Sequence, residues 1–78
     1  MASSRDIQYQ IDREEDRLRR AASAKRDAVS RYNRASGNDV DRCARQIRDA
    51  ERDIDDAEST LRTLKSAKRD AVAREERE

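Results

Sequence analysis

The stretch that decides the fold is Val40–Ala71, VDRCARQIRDAERDIDDAESTLRTLKSAKRDA. Val40, Ile47, Ile54, Leu61 and Lys68 recur every seven residues, and Cys43, Ala50, Ala57, Leu64 and Ala71 recur at the same spacing, three residues further on. Two series interleaved at intervals of three and four fall on one stripe of an α-helix, and five successive heptads mark a coiled-coil seam. The positions between them are mostly Arg, Asp and Glu, so the other faces of this helix are solvated.

Outward from this stretch, the chain repeats itself. Ser-Ala-Lys-Arg-Asp-Ala-Val occupies Ser23–Val29 and again Ser66–Val72, and 15 of the 27 positions from Arg5 to Arg31 are identical 43 residues on. Identity of this extent in a short chain signals an internal duplication. Moving the seam back by one repeat assigns Ile11, Leu18, Lys25 and Tyr32 to the first series and Ile7, Glu14, Ala21 and Ala28 to the second. A first helix at about residues 5–35 and a second at about 39–76 follow. The repeat implies equivalent environments for Leu18 and Leu61, so truncating either to Ala is expected to cost a similar amount.

Between the copies lies Ala35-Ser36-Gly37-Asn38-Asp39, which holds the only glycine of a chain without proline. Gly37 suits the left-handed position after a helix C-terminus, Asn38 suits the cap of the next helix, and Asp39 and Asp41 suit its first turn. A turn at 36–39 is too short for any arrangement but an antiparallel one. Folding there sets Tyr32 against Cys43, Ala28 against Ile47, Lys25 against Ala50, Ala21 against Ile54, Leu18 against Ala57, Glu14 against Leu61 and Ile11 against Leu64. Large residues mostly face small ones, which allows close approach of the two backbones. The expected fold is therefore all-α: residues 1–78 as one antiparallel two-helix coiled-coil hairpin, internally duplicated.

Beside the seam, one flank carries Ala22, Val29, Ala44 and Val72, and the other Gln10, Arg17, Arg31, Gln46, Asp53 and Thr60. The apolar flank can receive another helix or a second hairpin, giving a four-helix bundle. A single core of this size rarely supplies more than about 3–5 kcal/mol, so such an association would complete the fold. Lys25 and Lys68 interrupt the seam at equivalent points, where a lysine carries its ammonium out to water and sets register. Glu14 interrupts it opposite Leu61, within expected reach of Arg62 or Lys65. Four acid-to-base pairs at i,i+4, Glu15–Arg19, Glu58–Arg62, Asp27–Arg31 and Asp70–Arg74, are each expected to support the exposed faces by about 0.2–0.5 kcal/mol. Arg26 and Arg69, the outward members of the repeated heptapeptide, are left to meet a partner.

Composition narrows the function classes. With 19 Lys and Arg against 18 Asp and Glu, the net charge is +1, whereas nucleic-acid binders usually present a net basic surface. Basic runs do occur on outer faces, at Arg42, Arg45, Arg48 and Arg52 and at Arg13, Arg17 and Arg20, but acids interleave with the former and only 3% of the residues are aromatic. A nucleic-acid accessory role is the third reading for this reason. Catalysis has no visible basis: there is no histidine, no Gly-rich phosphate loop, no nucleophile elbow and no Cys/His cluster, so neither a cofactor nor a metal is expected. Single Cys43 falls at the seam against Tyr32 and reads as a small hydrophobe, with a redox or interchain role as the alternative. The longest apolar run, Ala71-Val72-Ala73, offers no membrane span or signal-peptide core, so a cytoplasmic protein is expected, with signal-independent export as the other route.

Two antiparallel helices about a central Gly turn resemble the WXG100 group of small type VII secretion substrates and their helical partners. The resemblance covers the architecture of the whole chain. No Trp precedes Gly37, and neither Tyr9 nor Tyr32 is followed four residues later by an acid, as the group's secretion signal requires. What the resemblance implies is a small adaptor, chaperone or cargo of a secretion or assembly machine. The residues themselves point first to a non-enzymatic interaction or scaffold module, acting on another copy of itself or on a partner helix.

Overall fold

A computed structural model describes residues 2–77 and consists of two helices, α1 (Ser4–Arg34) and α2 (Asn38–Arg77), packed side by side as a hairpin. The rod measures 63 × 14 × 14 Å over its Cα atoms. Both helices start and stop within two residues of where the sequence places them.

Helix α1 begins with a cap that the heptad reading passed over. Ser3 is extended, and its hydroxyl accepts the N–H of Asp6 at 3.2 Å, which satisfies one of the orphan donors of the first turn. A second orphan, the Ser4 N–H, donates to Glu75 Oε1 at 3.1 Å, so the last turn of α2 caps the first turn of α1 and ties the open end of the hairpin together.

The turn departs from expectation in detail. Gly37 does take the left-handed conformation, at φ 62°, but α1 ends one step earlier on Ala35 in extended geometry, its N–H bonded to the Tyr32 carbonyl. Asn38 is the first residue of α2 and not its cap. The carbonyls of Ser36 and Gly37 accept the N–H groups of Asp39 and Val40, so backbone tightening closes the first turn without the Asn38 side chain.

The seam holds almost throughout. Ile7, Ile11, Ala21 and Ala28 of α1 and Cys43, Ala50, Ala57, Leu61 and Ala71 of α2 are buried, all of them at seam positions. The core tapers along the rod. Ile7, Ile11, Leu61 and Ala71 cluster toward the open end, with Leu18, Leu64 and Ala67 packed on them, whereas the turn half buries only Ala and Cys. Ile47 and Ile54 lie in that half opposite Ala28 and Ala21 and are half-buried, since a methyl group facing them cannot cover their edges. Tyr32 is the exception to the seam. It is 41% exposed, because its ring lies in the last turn of α1, beyond which there is no further helix to enclose it. Cys43 is nonetheless buried, at 6% exposure, among the small residues of the turn half.

Leu18 and Leu61 do not share one environment: Leu61 is buried and Leu18 half-buried. The expectation of equal truncation costs is corrected accordingly. Leu61 packs into the cluster with Ile7 and Ile11, whereas Leu18 faces only Ala57, whose methyl group covers it no better than Ala21 covers Ile54.

Candidate functional site

The two seam lysines leave the interior as expected, and they do so by one rule. Lys25 Nζ crosses to Glu51 Oε2 at 3.4 Å, and Lys68 Nζ crosses to Gln8 Oε1 at 2.5 Å. Lys25 and Lys68 are equivalent in the repeat, and so are Gln8 and Glu51. The duplication is thus a structural pseudo-twofold at these four residues, broken only in charge, since one lysine meets a carboxylate and the other an amide.

Charge organises the polar flank. Arg17 Nη2 bonds Asp56 Oδ2 at 2.9 Å and lies 3.9 Å from Asp53 Oδ1, while Nη1 reaches Glu14 Oε2 at 3.4 Å. The hydrogen bond to Asp56 contributes most to holding the Arg17 pKa above the ordinary arginine value. Glu14 is therefore satisfied by its own helix and not by Lys65 or Arg62. Arg17, assigned from sequence to an outer basic run as well as to this flank, spans the two helices instead of facing solvent alone. Two of the i,i+4 pairs are rearranged: Arg19 bonds Asp16, one residue closer than Glu15 would be, and Arg31 Nε donates to the Asp27 carbonyl oxygen at 3.4 Å. A guanidinium on a flexible stem takes the nearest of several acids, and this chain offers an acid at nearly every turn.

The other flank is open. Gln8, Glu15, Ala22 and Val29 of α1 share a heptad position, as do Ala44, Glu51, Glu58, Lys65 and Val72 of α2, and together they form this face. At its open end lies a groove of about 710 Å³ with Ile11 and Val72 among its walls, Lys65, Lys68 and Arg69 around it and Glu15 as its one acid. At the turn end, Val29 is 37% exposed beside half-buried Ala22 and Ala44. The four apolar flank residues are thus divided between the two ends, with Glu15, Glu51 and Glu58 between them. Arg69 belongs to the groove; Arg26 is exposed away from it. The polar members Gln8, Glu15, Lys65, Glu51 and Glu58 were not singled out from sequence, although the seven-residue spacing that gave Val29 and Val72 includes them.

Among the described residues, no cluster of His, Cys, Asp or Glu is placed to hold a metal ion, and no helix is long and apolar enough to cross a membrane. Comparison with known proteins leaves these surfaces to be interpreted on their own terms: no family model, no curated protein and no solved structure matches the chain.

Proposed function

We propose that the hairpin is a non-enzymatic interaction or scaffold module that works by packing its open flank against another helical surface. The observation that carries this reading is the contrast between the two flanks. Arg17 closes one with a charge network, and the other keeps Val29, Ala22, Ala44 and a groove floored by Ile11 and Val72 accessible. Among the described residues, no large side chain is fully buried, so the fold stands to gain from a further layer.

The test is sedimentation equilibrium combined with circular dichroism over a concentration series. Association through this flank predicts a cooperative helix melt whose midpoint rises with concentration when the protein binds itself, or with added partner when it does not. A chain that melts cooperatively as a monomer, with Val29→Asp and Val72→Asp leaving every association unchanged, would sink the reading. The cationic rim of Lys65, Lys68 and Arg69 around an apolar floor also suits an acidic amphipathic helix of a larger protein, which is the adaptor reading. Poor helicity of the chain alone, restored by such a helix, favours it.

A further inference from the structure

We propose that the open flank receives a second copy of this chain turned end for end, so that the turn end of each hairpin covers the groove at the open end of the other. The inference rests on the association reading and adds to it the occupant and its orientation.

Area supports a protein partner of this size. The chain exposes 6103 Å². A compact 9.1 kDa protein exposes about 4,900 Å², so the rod carries about 1,200 Å² of surplus surface. A standard interface takes about 600–1,000 Å² from each partner, which one flank of a rod 63 Å long can provide.

Charge selects the orientation. Along α2 the flank runs Ala44, Glu51, Glu58, Lys65, Val72: apolar, acidic, acidic, basic, apolar. Reversing a second copy about Glu58 sets Ala44 against Val72 and Glu51 against Lys65, each contact occurring twice. Within α2 the one acid-to-acid contact is Glu58 with Glu58; in α1 the two copies of Glu15 also lie about one turn apart. In α1 the same reversal brings Glu15 near Ala22 and Gln8 near Val29, so the exposed valine of one copy lies over the groove wall of the other. Docking with both turns at the same end does worse. It sets α1 on α2 level by level, which places Glu15 against Glu58 twice and leaves Lys65 opposite neutral Gln8. Opposite-end docking also compensates Lys65 in the cationic half of the groove, where Lys68 spends its own hydrogen bond on an amide. The arrangement is a closed twofold dimer, and hence a four-helix bundle.

The test uses the full chain carrying Cys43→Ala, so that every thiol is an introduced one. Chains with Ala44→Cys and chains with Val72→Cys are mixed and oxidised, in parallel with a mixture of Ala44→Cys and Val29→Cys. Each chain carries one thiol, so every link joins two chains, and because Ala44 and Val72 lie about 42 Å apart along α2 a bond between them requires opposite ends to meet. End-for-end docking predicts disulfide dimers in the first mixture at several-fold the yield of the second. Dominant linkage of Ala44→Cys to Val29→Cys overturns the orientation while the association reading stands. In the parent chain, sedimentation as a monomer at every concentration overturns the second copy as occupant, and the association reading is then decided by the partner-helix titration alone. Charge provides an independent readout. Lys65→Glu should weaken dimerisation at least tenfold, and adding Glu51→Lys together with Lys25→Glu, which keeps the Lys25–Glu51 pair within the hairpin in reversed sign, should restore most of it; a triple variant as weak as the single one counts against the Glu51–Lys65 contact and against the proposal.

Discussion

At Gly37 the chain reverses on one residue at φ 62°, and a Cβ added there would meet nothing within 4 Å. The cost of Gly37→Ala is therefore one of backbone conformation alone, about 1 kcal/mol, and Gly37→Asn should cost less because asparagine tolerates the left-handed region. Urea denaturation should show both as shifts in midpoint at constant slope. Glu75 makes a second prediction at this scale. Its hydrogen bonding to Ser4, side chain first and backbone N–H second, holds its carboxyl below the ordinary glutamate value. A depressed carboxylate pKa contributes stability that is fully present above the unfolded-state value, about 4.3, and is lost as pH falls through the lower folded-state value. The Ser4 amide resonance should move through that acidic window, and Glu75→Gln should abolish the movement. Local reading finds Gly37 because glycine takes the left-handed conformation of such a turn without strain. It does not find Glu75, whose partner lies at the other end of the chain.

The helices themselves were legible in the heptads of Val40–Ala71, because two interleaved series are satisfied by one periodicity only. Their pairing was legible too, since a single short turn allows one register, and Lys25 and Lys68 emerge across it as expected. Individual ion pairs were not. Arg17 has Glu14, Asp53 and Asp56 within reach, and spacing along one helix cannot rank an acid on the other helix above one on its own. Burial depth was also hidden, because it depends on what faces a residue and on how far the rod extends beyond it, as Tyr32 demonstrates. Leu61 and Leu18 turn this into a measurement. Leu61→Ala removes a buried side chain from the Ile7–Ile11 cluster and should cost about 2–4 kcal/mol, whereas Leu18→Ala, at a half-buried position, should cost about half as much. Equal losses by chemical denaturation would mean that the two halves pack alike after all.

At the scale of the whole molecule, the decisive quantity is surface against volume. A rod two helices thick leaves each helix one face to bury, and here that face is filled largely by alanine along half its length. The association proposed for the open flank therefore predicts that stability is a property of concentration: at a hundred times the dissociation constant the gain is about 2.7 kcal/mol. Raising salt should weaken it, since the orientation depends on Glu51 and Lys65 and surface charges are screened within about 8 Å at physiological ionic strength. Thermal melts at two concentrations and two salt levels separate these effects. The duplication was plain in the sequence, but its meaning emerges only from the two lysine crossings. Because Lys25 reaches Glu51 as Lys68 reaches Gln8, the hairpin has the plan of a dimer of identical helices whose chains have been joined. Such a plan has no head or tail. A single amide at Gln8, where the other half has a carboxylate, leaves the open end the more cationic at these crossings, and so gives the rod an electrical direction.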